Sequence, residues 1–280
     1  MQLARAAPPI VRRKSLLRTA LYCANAVRPV ALTIAGVDPS GGAGIAADLR
    51  AFAAAGVWGA AVPTLVTAQG TRGVRAVHVL PPRVVARAID VVLEDLEVAA
   101  VKTGALGSAN VVHVVARALG RLRAPIVVDP VIRATRGRAL LDRAGVRALQ
   151  DELIGLAAIV TPNVAEAAIL SGVRVHDADS ARHAAQRIRE LGAQAVLVKG
   201  GHLRGARARD LLVDSRGEAW LSGRRWRIRL HGAGCALSAA IAAHLARGAS
   251  PREAARAAKS WVAGLVREAR SIGPGLVPLG

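Results

Sequence analysis

Short apolar runs alternate with helical patterns along most of this 280-residue chain, and this alternation constrains the fold more than any other feature. The run at 29–36 ends in glycine, as a strand buried on both faces does, and a helical pattern follows it. Strands that alternate with helices of this length predict βαβ units. We therefore predict an α/β fold of three α/β/α layers, with a mostly parallel central sheet and a small antiparallel edge or flap.

The predicted elements divide into two sets. The apolar runs predicted as strands are 29–36, 60–69, 75–80, 98–104, 124–130, 157–163 and 193–201, while 209–230 predicts a pair or trio of antiparallel strands. Helical patterns cover 45–56, 81–96, 108–120, a segment ending near 156, 164–172, 178–192, 235–247 and 252–270.

Composition indicates a core of small aliphatic side chains, because the chain has one Phe, one Tyr and four Trp. We expect a single domain over 29–280, preceded by a basic and poorly ordered extension, 1–28. That extension resembles a secretory signal, but Arg18 interrupts its apolar run. Two cysteines, Cys23 and Cys235, give neither a disulfide framework nor metal-ligand spacing, so a reducing, cytoplasmic setting is expected.

The formal net charge of +20 raises the question of a nucleic-acid partner. Only four of the 39 basic residues are lysines, and the arginines are scattered along the chain with few aromatic residues between them. A surface on which bases stack would interleave basic and aromatic residues. We expect an arginine-rich surface with weak nonspecific binding at low salt, no specific nucleic-acid partner and no membrane partner.

Polar residues and glycines follow the ends of the predicted strands. In open parallel sheets, ligands bind outside the carboxyl ends of the strands. Ordinary turns also favour Gly, Asp and Asn, so any single member of the set could be structural. The set comprises Asp38, Gln69, Thr103, Gly104, Asp129, Asn163, Glu166, Lys199, Gly200 and Gly201.

The segment 229–248 places Gly232, Ala233, Gly234 and Cys235 at the start of an alanine-rich helix. Unpaired backbone N–H groups and the helix dipole favour an anion there, and Lys199 is the cation best placed to join it. The alternative is a glycine turn beside a small buried thiol. A second glycine-rich stretch, 41–44, has neither the dinucleotide-binding nor the P-loop spacing.

Phosphoryl transfer requires positioning, charge neutralisation and a proton acceptor, and these residue types could supply all three. Asp129, Asn163 and Glu166 offer oxygen atoms of the kind that Mg²⁺ binds, directly or through water. Cys235 could act as the base. A helix N-terminus and nearby cations lower a thiol pKa whereas an adjacent phosphate raises it, so the sequence leaves the direction of the shift open.

Seven motifs occur in an order and spacing that resemble hydroxymethylpyrimidine/phosphomethylpyrimidine kinases, of the ribokinase-like superfamily. The resemblance covers about residues 30–273. The motifs are ALTIAGVDPSGGAGIAADLRAFAAAGVWG, TAQGTRGV, VKTGALGS, VVDPV, TPNVAEA, VLVKGGHL and HGAGCALSAAIAAHLARG.

The resemblance implies phosphorylation of 4-amino-5-hydroxymethyl-2-methylpyrimidine, and then of its monophosphate, with ATP and Mg²⁺. It implies that Gln69 hydrogen-bonds the aminopyrimidine, and a carboxamide can do so because it both donates and accepts. It also suggests a homodimer. The same resemblance implies that the pyrimidine pocket is lined by Gly36, Asp48, Ala105 and Val131. It implies that the ATP phosphates face Lys199, Asn163, Glu166 and Gly234, and that the metal faces Asp129 and Glu166. Residues 232–235 then form the anion hole, with Cys235 as base.

Three departures from the family pattern leave alternatives open. Ala233 replaces a threonine hydroxyl, Ala105 stands where a methionine is usual and enlarges the pocket, and Arg138 replaces a small or acidic residue. One alternative is therefore a kinase of the same fold that acts on pyridoxal. Another is a ligand-binding or regulatory relative with little turnover.

Overall fold

The computed structural model describes residues 28–134, 138–200, 207–225, 230–275 and 277–278. The predicted extension up to residue 27, together with Cys23, lies outside these residues, as does Gly201. The strands are β1 (Val30–Val37), β2 (Trp58–Gly70), β3 (Gly73–Val79), β4 (Val98–Thr103), β5 (Ile126–Val128), β6 (Ile159–Val160), β7 (Val196–Val198), β8 (Arg207–Asp214), β9 (Gly217–Arg224), β10 (Leu230–His231) and β11 (Val277–Pro278).

The helices fall where the helical patterns predict them. They are α1 (Gly44–Ala54), α2 (Pro82–Asp95), α3 (Ala109–Leu119), α4 (Arg143–Ala148), α5 (Val164–Ser171), α6 (Ala178–Glu190), α7 (Ala233–Ala246) and α8 (Pro251–Glu268). Helix α4 continues through a π turn, Leu149–Leu153, and a 3-10 turn, Ile154–Leu156, which accounts for the helical pattern that ends near 156.

Within the described part of the chain, nine strands form the main sheet, in the order β3-β2-β1-β4-β5-β6-β7-β8-β9. Strands β2, β1, β4, β5, β6 and β7 are parallel, whereas β3 and the β8–β9 hairpin are antiparallel at the two edges. The fold of a mostly parallel sheet with antiparallel edges is thus confirmed. Strand β5 is shorter than predicted because it stops before Asp129 and Pro130, and proline has no N–H for the ladder.

Helices cover both faces of the sheet. Successive residues of each central strand point to opposite sides, so both faces carry apolar side chains that need to be covered. Leu32 and Val101 face the side that α2 to α6 cover, while Ala31 and Ala100 face α1, α7 and α8. On that second face α7 is buried from Ala239 to Ala243. The small side chains allow helix and sheet to approach closely, as the composition predicts.

The direction of strand order reverses at β1, since β2 lies on one side of it and β4 on the other. In open α/β sheets a crevice forms outside the carboxyl ends of the strands at such a point. Among the described helices, none is both long and apolar enough to cross a bilayer.

Candidate active site

A cavity of about 730 Å³ opens at the carboxyl ends of the parallel strands. Twelve of the thirteen residues predicted for the site line it, and they come from β1, β2, α5, α7 and the segments that follow the strands. They are Gly36, Gln69, Ala105, Asp129, Val131, Asn163, Glu166, Lys199, Gly232, Ala233, Gly234 and Cys235. The exception is Asp48.

The start of α7 forms one wall of the cavity. Gly232 caps the helix with φ of 78°, and a Cβ at this position would overlap the carbonyl oxygen of Gly42 in the glycine-rich loop. The N–H of Ala236 already bonds the Gly232 carbonyl, so the preceding N–H groups of the first turn have no carbonyl within the helix. A Cβ on Gly234 would lie 3.2 Å from Lys199 Nζ, which places the ammonium group beside this helix start.

Asp129 is the buried anion that holds Lys199 in place. Lys199 Nζ donates to Asp129 Oδ1 over 2.8 Å, and the hydroxyls of Thr161 and Ser238 donate to the same carboxylate over 3.3 and 3.0 Å. Burial lowers the pKa of Lys199, but the charges of Asp129 and Glu166 outweigh it and raise that pKa above its ordinary value. Lys199 is therefore a fixed positive charge at the helix start.

Asn163 and Glu166 form a capping box at the start of α5. The Asn163 N–H donates to Glu166 Oε2 over 2.8 Å, and the Glu166 N–H donates to Asn163 Oδ1 over 2.9 Å. Both side chains consequently have a structural role, and both line the cavity as well. Burial, reinforced by the Asp129 charge, raises the pKa of Glu166 to about 7, although the Lys199 charge opposes this.

The carboxylates suit a magnesium ion that is bound mainly by phosphates. Among the described residues, no group of three or more His, Cys, Asp and Glu side chains could hold a metal. Mg²⁺ at phosphoryl-transfer sites commonly needs only one or two carboxylates, with substrate oxygens and water completing the shell. Glu166 accepts two backbone hydrogen bonds, from Asn163 and Ile132, whereas Asp129 accepts three from side chains, so Glu166 has more acceptor capacity left for this role.

Cys235 lies in the first turn of α7, half-buried and without a disulfide partner. Burial raises the pKa of its thiol to about 11, and the Asp129 and Asp48 charges act in the same direction. Lys102 and a hydrogen bond from the Gly44 backbone oppose this rise. The sequence leaves the direction of the Cys235 pKa shift open, and in the structure the shift is upward. The thiol is therefore protonated at neutral pH in the unliganded protein.

The opposite end of the cavity combines an apolar wall with a carboxamide. Gly36, Leu65, Ala105, Val131 and Leu140 contribute to the wall. A Cβ on Gly36 would lie 2.7 Å from Leu65 Cδ1, so a larger residue could not fit against that side chain.

Gln69 supplies the polar edge of this end and hydrogen-bonds Thr67 and His231. Asp38 also lines the cavity and contacts the same histidine. A flat heterocycle with polar edge atoms is the kind of ligand that such a wall and carboxamide fit.

The prediction that Asp48 lines the pocket requires correction. Asp48 is 0% exposed, and it accepts hydrogen bonds from Lys102 Nζ over 2.8 Å and Thr33 Oγ1 over 2.6 Å. It lies behind the cavity wall because α1 packs it against β1 and β4. Lys102 is also 0% exposed, but it borders the cavity whereas Asp48 does not. Its sequence signal is a lysine inside an otherwise apolar strand.

Sequence reasoning also missed a polar group at the far end of the cavity. Lys259 Nζ donates to Asp210 Oδ2 over 2.5 Å, and the Gly200 N–H donates to Asp210 Oδ1 over 3.0 Å. These residues come from α8, β8 and the segment after β7, and only the tertiary fold brings them together. The cavity thus extends from Gln69, past the helix start, to Asp210.

The fold is a three-layer α/β/α sandwich. Its cavity joins an apolar pocket that suits a heterocycle to a helix N-terminus beside a fixed lysine. This combination defines a ribokinase-like small-molecule kinase. The family model described as phosphomethylpyrimidine kinase matches residues 38–280. The chain belongs to this family. The predicted fold class and the predicted class of enzyme, a phosphotransferase, are confirmed.

Individual relatives agree with the family match. The chain is 48% identical over 236 residues to a hydroxymethylpyrimidine/phosphomethylpyrimidine kinase of Rhizobium meliloti, covering 83% of this chain and 88% of the relative. Phosphomethylpyrimidine kinase from Clostridium difficile is similar in structure, with a TM-score of 0.76, 37% identity and coverage of 85% and 100% of the two chains. Pyridoxal kinase from Staphylococcus aureus, in complex with AMP-PCP and pyridoxal, is also similar in structure. Its TM-score is 0.83, its sequence identity is 31%, and the match covers 90% of this chain and 93% of that chain.

Proposed function

We propose that this protein transfers a phosphoryl group from ATP to the hydroxymethyl group of 4-amino-5-hydroxymethyl-2-methylpyrimidine, and then phosphorylates the monophosphate to the diphosphate. The observation that carries the proposal is one continuous cavity with Gln69 at one end and Lys199 beside the start of α7. Family membership and the names of the relatives support the same activity.

Each part of the cavity has a task in this reaction. Gln69 holds the aminopyrimidine edge, and the apolar wall around Ala105 accepts the ring. The free N–H groups of α7 and the Lys199 ammonium stabilise negative charge on the transferred phosphoryl group. Mg²⁺, held through Glu166 and the phosphates, would neutralise phosphate charge when bound. Cys235 accepts the proton of the attacking hydroxyl in its thiolate form, which is the minor form at neutral pH because the thiol pKa is raised to about 11.

The test is product analysis by mass spectrometry with ATP, Mg²⁺ and the hydroxymethylpyrimidine. We expect the monophosphate first and the diphosphate later. Gln69→Leu should abolish turnover of the free pyrimidine, and Lys199→Ala should reduce it by about 10²-fold or more, the scale of losing one charge-stabilising donor. Gln186→Leu, an exposed change on α6, serves as the control. An active enzyme that is indifferent to both site changes contradicts the proposal.

A second candidate is a pyridoxal kinase of the same fold. The observation in its favour is Ala105, whose small side chain leaves room in the ring pocket, together with the likeness to pyridoxal kinase. Offering pyridoxal and the hydroxymethylpyrimidine separately to one preparation distinguishes the two candidates. A higher kcat/KM for pyridoxal would favour the second.

We also propose that residues 29–280 act as one kinase domain, in a homodimer in the cytoplasm. These points rest on the family resemblance. Analytical ultracentrifugation tests the dimer, since a single species at twice the 28.9 kDa chain mass is expected. A monomer at micromolar concentration would contradict it.

A further inference from the structure

His231 is buried directly before Gly232 and contacts Asp38 and Gln69, which both line the cavity. Its Nε2 atom lies 2.6 Å from Asp38 Oδ2 and 3.0 Å from the Gln69 side-chain nitrogen. A Cβ on Gly42 would run into the imidazole ring, so the glycine-rich loop packs directly on His231. The histidine therefore joins the loop to the residue that is proposed to recognise the substrate.

The contacts of Asp38 determine where the His231 proton lies. Its carboxylate accepts hydrogen bonds from the Ser40 N–H, the Ser40 hydroxyl and the Ala43 N–H. Burial raises the pKa of Asp38, but hydrogen bonds from His231 and Ser40 outweigh this and hold it below its ordinary value. An ionised carboxylate only accepts hydrogen bonds, so His231 Nε2 must carry a proton and donate it.

This protonation state fixes the orientation of the Gln69 amide. A protonated His231 Nε2 and the Gln69 NH₂ group cannot face each other at 3.0 Å, because both are donors. Amide oxygen and nitrogen are assigned from their partners. Exchanging them places the oxygen at His231, where it shares the single Nε2 proton with the nearer Asp38 carboxylate, and the NH₂ group at Thr67 Oγ1, where the two atoms are 3.2 Å apart.

The contacts of the Thr67 hydroxyl are consistent with the exchanged orientation. This hydroxyl has one proton, which it donates to the Val37 carbonyl over 3.1 Å. Its oxygen is then free to accept from the Gln69 NH₂ group. In the opposite orientation the same proton would have to serve both Val37 and Gln69.

We infer that His231 is a positioning residue that fixes the Gln69 carboxamide with its oxygen toward His231 and its NH₂ group toward Thr67. One N–H and one oxygen lone pair of Gln69 then remain for the ligand, in a set order. This order suits a ring nitrogen beside an exocyclic amine. The inference rests on the proposed function for the identity of the ligand, but the orientation itself does not depend on turnover.

A measurement without substrate tests the orientation directly. In the full-length ¹⁵N-labelled protein, NMR of the imidazole nitrogens should show a proton on His231 Nε2. The spectrum of His231→Gln identifies the signal among the seven histidines of the chain. A bare Nε2 would overturn the inference whether or not the protein proves to be a kinase.

Kinetics then test whether His231 acts through Gln69. The readout is the ratio of kcat/KM for the aminopyrimidine alcohol to that for its analogue lacking the amino group. His231→Leu should lower this ratio by about tenfold, the effect of one lost hydrogen bond. His231→Gln, which keeps a side-chain N–H donor, should restore most of it. The exposed His183→Leu on α6 serves as the control.

The same ratio separates positioning from a general structural role. In a Gln69→Leu background, where turnover is lost, the ratio is taken from the dissociation constants of the two alcohols, and His231→Leu should leave it unchanged because the group it orients is absent. Equal loss with both alcohols in the single variant, or a full tenfold loss in the double variant, would overturn the positioning role. If the wild-type protein phosphorylates neither alcohol, the proposed function fails, and the NMR measurement still decides the inference.

Discussion

Gly232 requires glycine for two separate reasons, its positive φ and its contact with the Gly42 carbonyl. We expect Gly232→Ala to destabilise the protein by more than the roughly 1 kcal/mol of an ordinary unfavourable backbone conformation. Gly248→Ala is the matched control, because Gly248 has φ of 87° and a Cβ added there would meet nothing within 4 Å. Chemical denaturation of both variants measures the difference. Equal losses would show that the contact with Gly42 contributes nothing.

Cys235 should make the reaction depend on pH, because its pKa is raised to about 11 by burial. Below that pKa the thiolate fraction rises about tenfold per pH unit, so a rate that needs the thiolate rises with it. We expect kcat/KM to increase from pH 7 to 9 in the wild-type protein. Cys235→Asp, whose carboxylate is already ionised in this range, should show a flatter profile. A wild-type kcat/KM that does not change with pH, or an active Cys235→Ala variant, would contradict the role of Cys235 as the base.

Helix α5 starts at a capping box whose glutamate also titrates. The folded pKa of Glu166, about 7, exceeds its ordinary value of 4.5 because of burial. The folded state therefore binds more protons between these values, and the free energy of unfolding falls as pH rises through this window.

Glu166→Gln isolates this effect, since glutamine can keep the capping hydrogen bond but does not ionise. We expect the variant to gain stability relative to wild type as pH increases from about 4.5 to 7. Denaturant titrations of both proteins at several pH values measure the difference. A constant difference across the window would contradict the raised pKa.

Helix α1 and strands β1 and β4 meet at the buried pair of Asp48 and Lys102. Removing one partner leaves an uncompensated buried charge, so Asp48→Asn or Lys102→Met should each destabilise the protein by about 3–5 kcal/mol. The double variant should lose less than the sum of the single losses, because no charge remains unpaired. Thermal or chemical denaturation of the three variants provides the cycle, and strict additivity would show that the pair is not coupled.

The sequence predicted the elements of the fold well, because buried strands and amphipathic helices leave periodic signals. It also predicted most of the cavity lining, since strand ends such as Asp129 and Lys199 follow apolar runs. Asp48 was placed in the pocket by the family resemblance alone, and the helical pattern of α1 does not reveal on which side of the cavity wall its side chain lies. Asp210 and Lys259 were missed because distant segments supply them, and no local signal marks their meeting.

The basic residues behind the formal net charge of +20 are spread along the whole chain. Several arginines of the described region are committed to acidic neighbours, as in the pairs of Arg182 with Glu218 and Arg252 with Asp214. We therefore expect only weak, sequence-independent binding to DNA, which should fall steeply between about 50 and 200 mM salt as counterion release predicts. Fluorescence anisotropy with two unrelated duplexes measures it. Gln69→Leu should bind DNA as the wild type does, because the cavity takes no part. Binding that resists salt and depends on Gln69 would instead place nucleic acid at the active site.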